Sequence, residues 1–173
     1  MRNLKILLGM LIIAVAMGSV FTSRGGNSAG MAFADETSKG TLVAASGSAI
    51  DWQDYSPGLS RAKTAGKPVF LYFHADWCGY CRQLKQTTFK DKRVQDYLDE
   101  NYVSISVDTE KEGDIAREWG VRGLPTLWFL EADGTKISSL PGYVGPDQFL
   151  MVLKYIKTKS YDTMSFQEFV QKG

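Results

Sequence analysis

Val69-Phe70-Leu71-Tyr72-Phe73 is an unbroken apolar run, and it restricts this chain more than any other segment. It is too short for a globular helix and rich in β-formers, and Gly66-Lys67-Pro68 just before it ends any preceding helix. A strand with one wet face alternates, whereas a strand apolar at every position is covered on both faces. The run is therefore expected to be a strand buried on both faces, and with the elements around it the chain is expected to form an α/β fold.

The flanking segments supply the layers. Trp52 to Ala65 is predicted to be helical from about Pro57 and to end at Gly66, and Arg82 to Thr88 continues a second helix. Asp91 is placed to cap a third, with Val94 and Leu98 one turn apart. Tyr102 to Val107 alternates and is β-branched, so it reads as a strand ending at Asp108. Gly113 to Trp119 is a short helix closed by Gly120. Thr126 to Leu130 is an apolar strand, and Asp133-Gly134 turns it into Lys136 to Leu140. Asp147 to Lys157 has one apolar face, on Phe149, Leu150, Leu153 and Ile156. Strand–helix–strand followed by a hairpin and a helix implies a mixed sheet. In the tail, Ser165-Phe166-Gln167-Glu168 fits a capping box, and Phe166, Phe169 and Val170 share a face expected to pack on the domain. The predicted division is residues 51–160 as the domain and 161–173 as a helical extension.

Cys78 and Cys81 follow the central strand directly and are the only cysteines. Two thiols one helical turn apart lie on one helix face and can close a small ring. A helix N-terminus presents unpaired N–H groups and partial positive charge, which favour thiolate over thiol at Cys78. Cys78 is thus the expected nucleophile, and Cys81, one turn deeper, the residue that resolves the mixed disulfide. Gly79 permits close approach, and Trp77 and Tyr80 flank the sulfur. A structural disulfide over so small a loop would remove little unfolded-state entropy. A metal-binding or delivery module using Cys78, Cys81 and His74 is the rival of a different class, but zinc takes four ligands and His74 is the only histidine.

Trp77-Cys78-Gly79-Tyr80-Cys81 after an apolar strand, with Gly123-Leu124-Pro125-Thr126 before another, resembles the thioredoxin superfamily. Lys67-Pro68-Val69, Ala75-Asp76, Thr88-Phe89, Val107-Asp108 and Gly120-Val121-Arg122 extend the likeness. Within that superfamily the pattern is similar to the C-terminal periplasmic domain of the thiol:disulfide interchange proteins and related exported thioredoxin-like proteins, over Lys67 to Ile156. The resemblance implies a thioredoxin fold, a central mixed β-sheet flanked by helices. It also implies a cis Leu124–Pro125 bond facing the cysteines, with Leu124 and Pro125 shaping a groove for an extended substrate. The implied activity is a thiol–disulfide oxidoreductase with no bound cofactor, reducing disulfides of other exported proteins with electrons from a membrane thiol donor. Isomerase or oxidase action of the same fold is the alternative.

Two positions depart from the family. Its buried aspartate, thought to deprotonate the second cysteine, is replaced by Tyr72, a poor base at neutral pH. His74 is therefore a candidate proton shuttle. Gly79-Tyr80 between the cysteines resembles the periplasmic disulfide isomerase rather than thioredoxin, so the direction of electron flow stays open.

The N-terminal residues bear on location. Arg2 and Lys5 precede a nearly continuous apolar run from Ile6 to Phe21, and Ala32-Phe33-Ala34 offers small residues for cleavage before Asp35. Residues 1–34 read as a signal peptide or a retained N-terminal membrane anchor, and 35–50 as a polar linker. Either reading puts the body of the protein in the periplasm or otherwise outside the cytoplasm. The formal net charge is +1, and Arg2, Lys5 and Arg24 supply three of the 20 basic residues, leaving −2 on the remainder. No nucleic acid partner is expected from such a balance.

Overall fold

The apolar run becomes the middle of a five-stranded mixed sheet in the computed structural model, which describes residues 49–172. The expected signal or anchor (1–34), nearly all of the linker (35–50) and Gly173 lie outside the described residues. Along the chain come β1 (Trp52–Gln53), α1 (Tyr55–Ala65), β2 (Val69–His74), α2 (Gly79–Gln86), a 3₁₀ turn (Thr88–Lys90) and α3 (Lys92–Asn101). There follow β3 (Val103–Asp108), α4 (Gly113–Glu118), β4 (Thr126–Leu130), β5 (Lys136–Pro141), α5 (Pro146–Lys157), a 3₁₀ turn (Ser160–Asp162) and α6 (Phe166–Lys172). The strand order is β1-β3-β2-β4-β5. β2 runs parallel to β3, with Leu71 opposite Ile105, and antiparallel to β4, with Leu71 opposite Trp128.

The pleat sends alternate residues of β2 into two cores. Phe70 and Tyr72 pack with Leu84 of α2, Phe89, Val94 and Leu98 of α3, and Phe149 and Leu153 of α5. Val69, Leu71 and Phe73 pack with Ala62 of α1, Ile105 and Val107 of β3, and Ala116 beside Trp119. On that second face α1 comes unusually close to the sheet. A Cβ on Gly58 would stand 2.5 Å from Ile105 Cγ1, so only glycine lets the helix lie this low.

Local signals account for the other ends. Asp91 accepts the Arg93 N–H at 2.9 Å, as its capping position predicts. The β4–β5 turn places Gly134 at φ +92° while Asp133 Oδ1 accepts from Thr135 N at 2.9 Å. Ser165 and Glu168 bond reciprocally, with Ser165 N to Glu168 Oε2 at 2.8 Å and Glu168 N to Ser165 Oγ at 3.3 Å. Helix α6 meets α5 through the rings of Phe166 and Phe169, each 5.4 Å from that of Tyr155.

Four expectations need correction. Trp52, given no element of its own ahead of the helix, starts an edge strand parallel to β3, and α1 begins at Tyr55 rather than near Pro57. Two residues of strand carry no periodicity to read. The second helix stops at Gln86, and Thr88 belongs to a separate 3₁₀ turn. Ile50, counted in the linker, is buried in the first core. Val170, placed on the packed face of the tail, is exposed.

Candidate active site

The fold delivers the cysteine pair to the end of the central strand. After β2 the chain makes one tight turn, with Cys78 N donating to Ala75 O at 3.2 Å, and Cys78 becomes the N-cap of α2. Its Sγ accepts the Cys81 N–H at 3.1 Å, occupying one of the otherwise unpaired amides of the first turn. Cys78 and Cys81 are joined as a disulfide with Cα atoms 5.2 Å apart. Both are buried, at 4% and 1% exposure, Cys81 the deeper. Beside them Trp77 and Tyr80 stand 67% and 62% exposed, a large apolar surface to leave wet. Gly79, between them in the chain, is exposed too.

Leu124 and Pro125 precede β4, joined by a cis peptide bond. Leu124 is half-buried and Pro125 buried. Leu124 and Trp77 line one groove of about 200 Å³, together with Thr109, Val121, Arg122 and Gly123. A strap that sequence reading passed over ties these parts together. Gly142 N donates to Pro125 O at 2.8 Å, and Thr88 Oγ1 donates to Val144 O at 2.6 Å. Residues 142–144 thus link the Pro125 segment to the 3₁₀ turn that follows the cysteine helix. Tyr143, in the same strap, is partly exposed, with its hydroxyl 3.2 Å from Thr87 Oγ1. Pro141-Gly142 and Gly145-Pro146 are the sequence signals of a turn there, and Gly142 takes φ +84°.

Beneath the disulfide, Tyr72 reaches toward the Cys81 carbonyl, which its hydroxyl oxygen approaches at 3.4 Å. Burial raises the Tyr72 phenol far above its ordinary value, so it stays protonated. His74 stacks on that ring, centroids 4.9 Å apart, with Nε2 2.9 Å from Ser106 Oγ. Its Nδ1 is buried and unpartnered among the described residues. Burial lowers the His74 pKa, Lys85 lowers it further, and Asp108 and Asp76 oppose the shift. Cys78, Cys81 and His74 do not form a metal-holding cluster among the described residues.

The lowered pKa has a consequence for stability. Between the folded pKa and the unfolded value of about 6.5, the unfolded chain binds the proton that folded His74 refuses. Stability contributed there is present above about pH 6.5 and is lost as pH falls through that window. Urea midpoints of wild type and His74→Phe between about pH 7.5 and 5 are expected to diverge, the wild type falling more steeply. Parallel curves would count against it.

A sheet in this order, with a cysteine pair opening the helix after its central strand and a proline entering the next strand, defines a thioredoxin-type protein. A family model described as a thioredoxin-like domain matches residues 56–157, and the chain belongs to that family. It is 32% identical over 109 residues to the thiol:disulfide interchange protein DsbD of Yersinia enterocolitica, covering 60% of this chain and 18% of that protein. It is 36% identical over 92 residues to the chloroplastic thioredoxin-like protein HCF164 of Arabidopsis thaliana, covering 53% of this chain and 34% of the relative. The chain therefore spans about a fifth to a third of the length of these relatives. Among solved structures, a thioredoxin from Thermus thermophilus superposes with a TM-score of 0.58 at 28% identity, over 63% of this chain and 88% of that one. The family is one of thiol–disulfide oxidoreductases.

Proposed function

We propose that this chain reduces disulfides of other exported proteins, and that Cys78 and Cys81 carry the two electrons. The observation that carries the reading is the Cys78–Cys81 disulfide at the N-terminus of α2, the oxidised end point of such a cycle. In the reduced protein the Cys78 thiolate attacks one sulfur of a substrate disulfide, forming a mixed disulfide and expelling a substrate thiolate that takes up a proton. The Cys81 thiol loses its proton and attacks Cys78 Sγ. This step closes the internal disulfide and releases the second substrate thiol. The substrate gains two electrons and two protons. A dithiol donor, proposed to be membrane-bound, then reduces the pair again.

Trp77, Tyr80 and the Leu124 groove are the proposed docking surface for an extended substrate segment. Their exposure beside a buried disulfide supports that assignment. A location in the periplasm or another exported compartment is supported by the charged and apolar pattern of residues 1–34. Among the described residues no helix is long and apolar enough to cross a membrane.

The test is trapping. Cys81→Ser protein, unable to resolve, is expected to accumulate mixed disulfides through Cys78 with exported proteins. Non-reducing gels read the adducts and mass spectrometry identifies them. An absence of adducts where a control thioredoxin variant forms them would overturn the mechanism.

A further inference from the structure

A cavity of about 410 Å³ lies between the sheet and the α2–α3 connection, within the size range of small-molecule sites. Its lining shares no residue with the Trp77–Leu124 groove. The walls are aromatic. Trp52 and Phe89 stand 5.4 Å apart, Trp52 and Tyr72 5.6 Å, and Tyr72 and Phe89 5.1 Å, with Ile50 beside them.

Three of the polar side chains that line it, His74, Lys85 and Lys90, are basic, and Gln95 and Ser106 are neutral. His74 lines the cavity, and its Nδ1 has no partner among the described residues. Lys85 and Lys90 line it as well. Neither forms an ion pair with a carboxylate among the described residues. No lining residue is acidic. Asp108, the nearest counter-charge to His74 on the adjoining strand, is paired with Lys111 at 3.1 Å. Aromatic walls with unpaired ammonium groups beside them are complementary to a small anion with a flat apolar body.

We infer that this cavity is a binding site for a small aromatic monocarboxylate, its ring against Trp52 and Phe89 and its carboxylate held by Lys85, beside the His74 ring. Tyr72 forms one wall, and its hydroxyl reaches the Cys81 carbonyl, so an occupant touches the side chain that supports the resolving cysteine. Binding itself requires no electron transfer and does not depend on the exchange reaction.

The experiment titrates the oxidised full-length protein with phenylacetate and follows the His74 ring by NMR. His74 is the only histidine, so its signals are unambiguous. Phenylacetate is expected to shift them saturably, with a dissociation constant of order 1 mM for so small a probe. Phenylacetamide, with the same ring and no charge, and acetate, with the charge and no ring, are expected to bind about tenfold more weakly or worse. Lys85→Met, which keeps the apolar stem at an exposed position, should weaken phenylacetate about tenfold with an unchanged unfolding midpoint. Cys78→Ala should bind normally, which separates this site from the exchange chemistry. No saturable shift up to ~20 mM, amide binding equal to carboxylate, or an unaffected Lys85→Met would each overturn the inference.

Discussion

Cys78→Ser protein is expected to lose turnover of a peptide disulfide by on the order of 10³-fold or more, at least about 4 kcal/mol of transition-state stabilisation. The reason is chemical. Exchange needs a thiolate at the position that meets the substrate, and a serine hydroxyl neither ionises near neutrality nor attacks sulfur at a useful rate. Cys81 is the less accessible of the pair, in the first turn of α2 at 1% exposure against 4% for Cys78, and is not expected to substitute. The appropriate reference is reduced wild type, which also lacks the internal bond. Stopped-flow measurement of substrate thiol release checks the result. The two cysteine variants should separate cleanly, Cys78→Ser forming no adduct and Cys81→Ser forming a stable one. Comparable rates for Cys78→Ser and wild type would reverse the assignment of nucleophile and resolver.

The largest expected stability effect belongs to Phe70→Ala, which should cost about 3–5 kcal/mol. Phe70 is fully buried in the first core. Its ring lies 5.1 Å from Phe149, 5.8 Å from Trp52 and Phe129, and 6.0 Å from Phe89. These partners come from β1, β4, the 3₁₀ turn and α5, so no single element can shift to fill the vacated space. Against a typical total of about 5–15 kcal/mol, the loss is a large share. Urea unfolding should show a lower midpoint at a nearly unchanged slope. A loss below about 1 kcal/mol would mean that the cluster relaxes far more than close-packed cores do.

Features with a local cause were legible in the sequence. The unbroken Val69–Phe73 run announced a strand covered on both faces, and the structure covers it with α2, α3 and α5 on one side and α1 and α4 on the other. Cys78 as helix cap followed from that strand ending where it does. What escaped reading depends on distant parts of the chain meeting. The strand at Trp52–Gln53 exists because β3 offers it an edge to pair with. The strap at Gly142–Val144 gains meaning only when Pro125 and Thr88 are brought to it. The aromatic cavity draws residues from Ala49 to Ser106, and no spacing within one segment marks it. His74 was singled out for its place near the cysteines, yet its bonded neighbour, Ser106, belongs to the adjoining strand.

The two ends of the strand order carry a further consequence. One edge of the sheet is β1, only two residues long, and the other is β5, which reads Lys-Ile-Ser-Ser-Leu-Pro and ends at Pro141. A short edge, and an edge carrying a lysine, serines and a terminal proline, are poor templates for another chain to extend. Proteins with unsettled disulfides are often incompletely folded and expose sticky strands of their own. Under the proposed function, a domain with such blunt margins would meet such clients through its aromatic surface and let go of them, without being recruited into their aggregates.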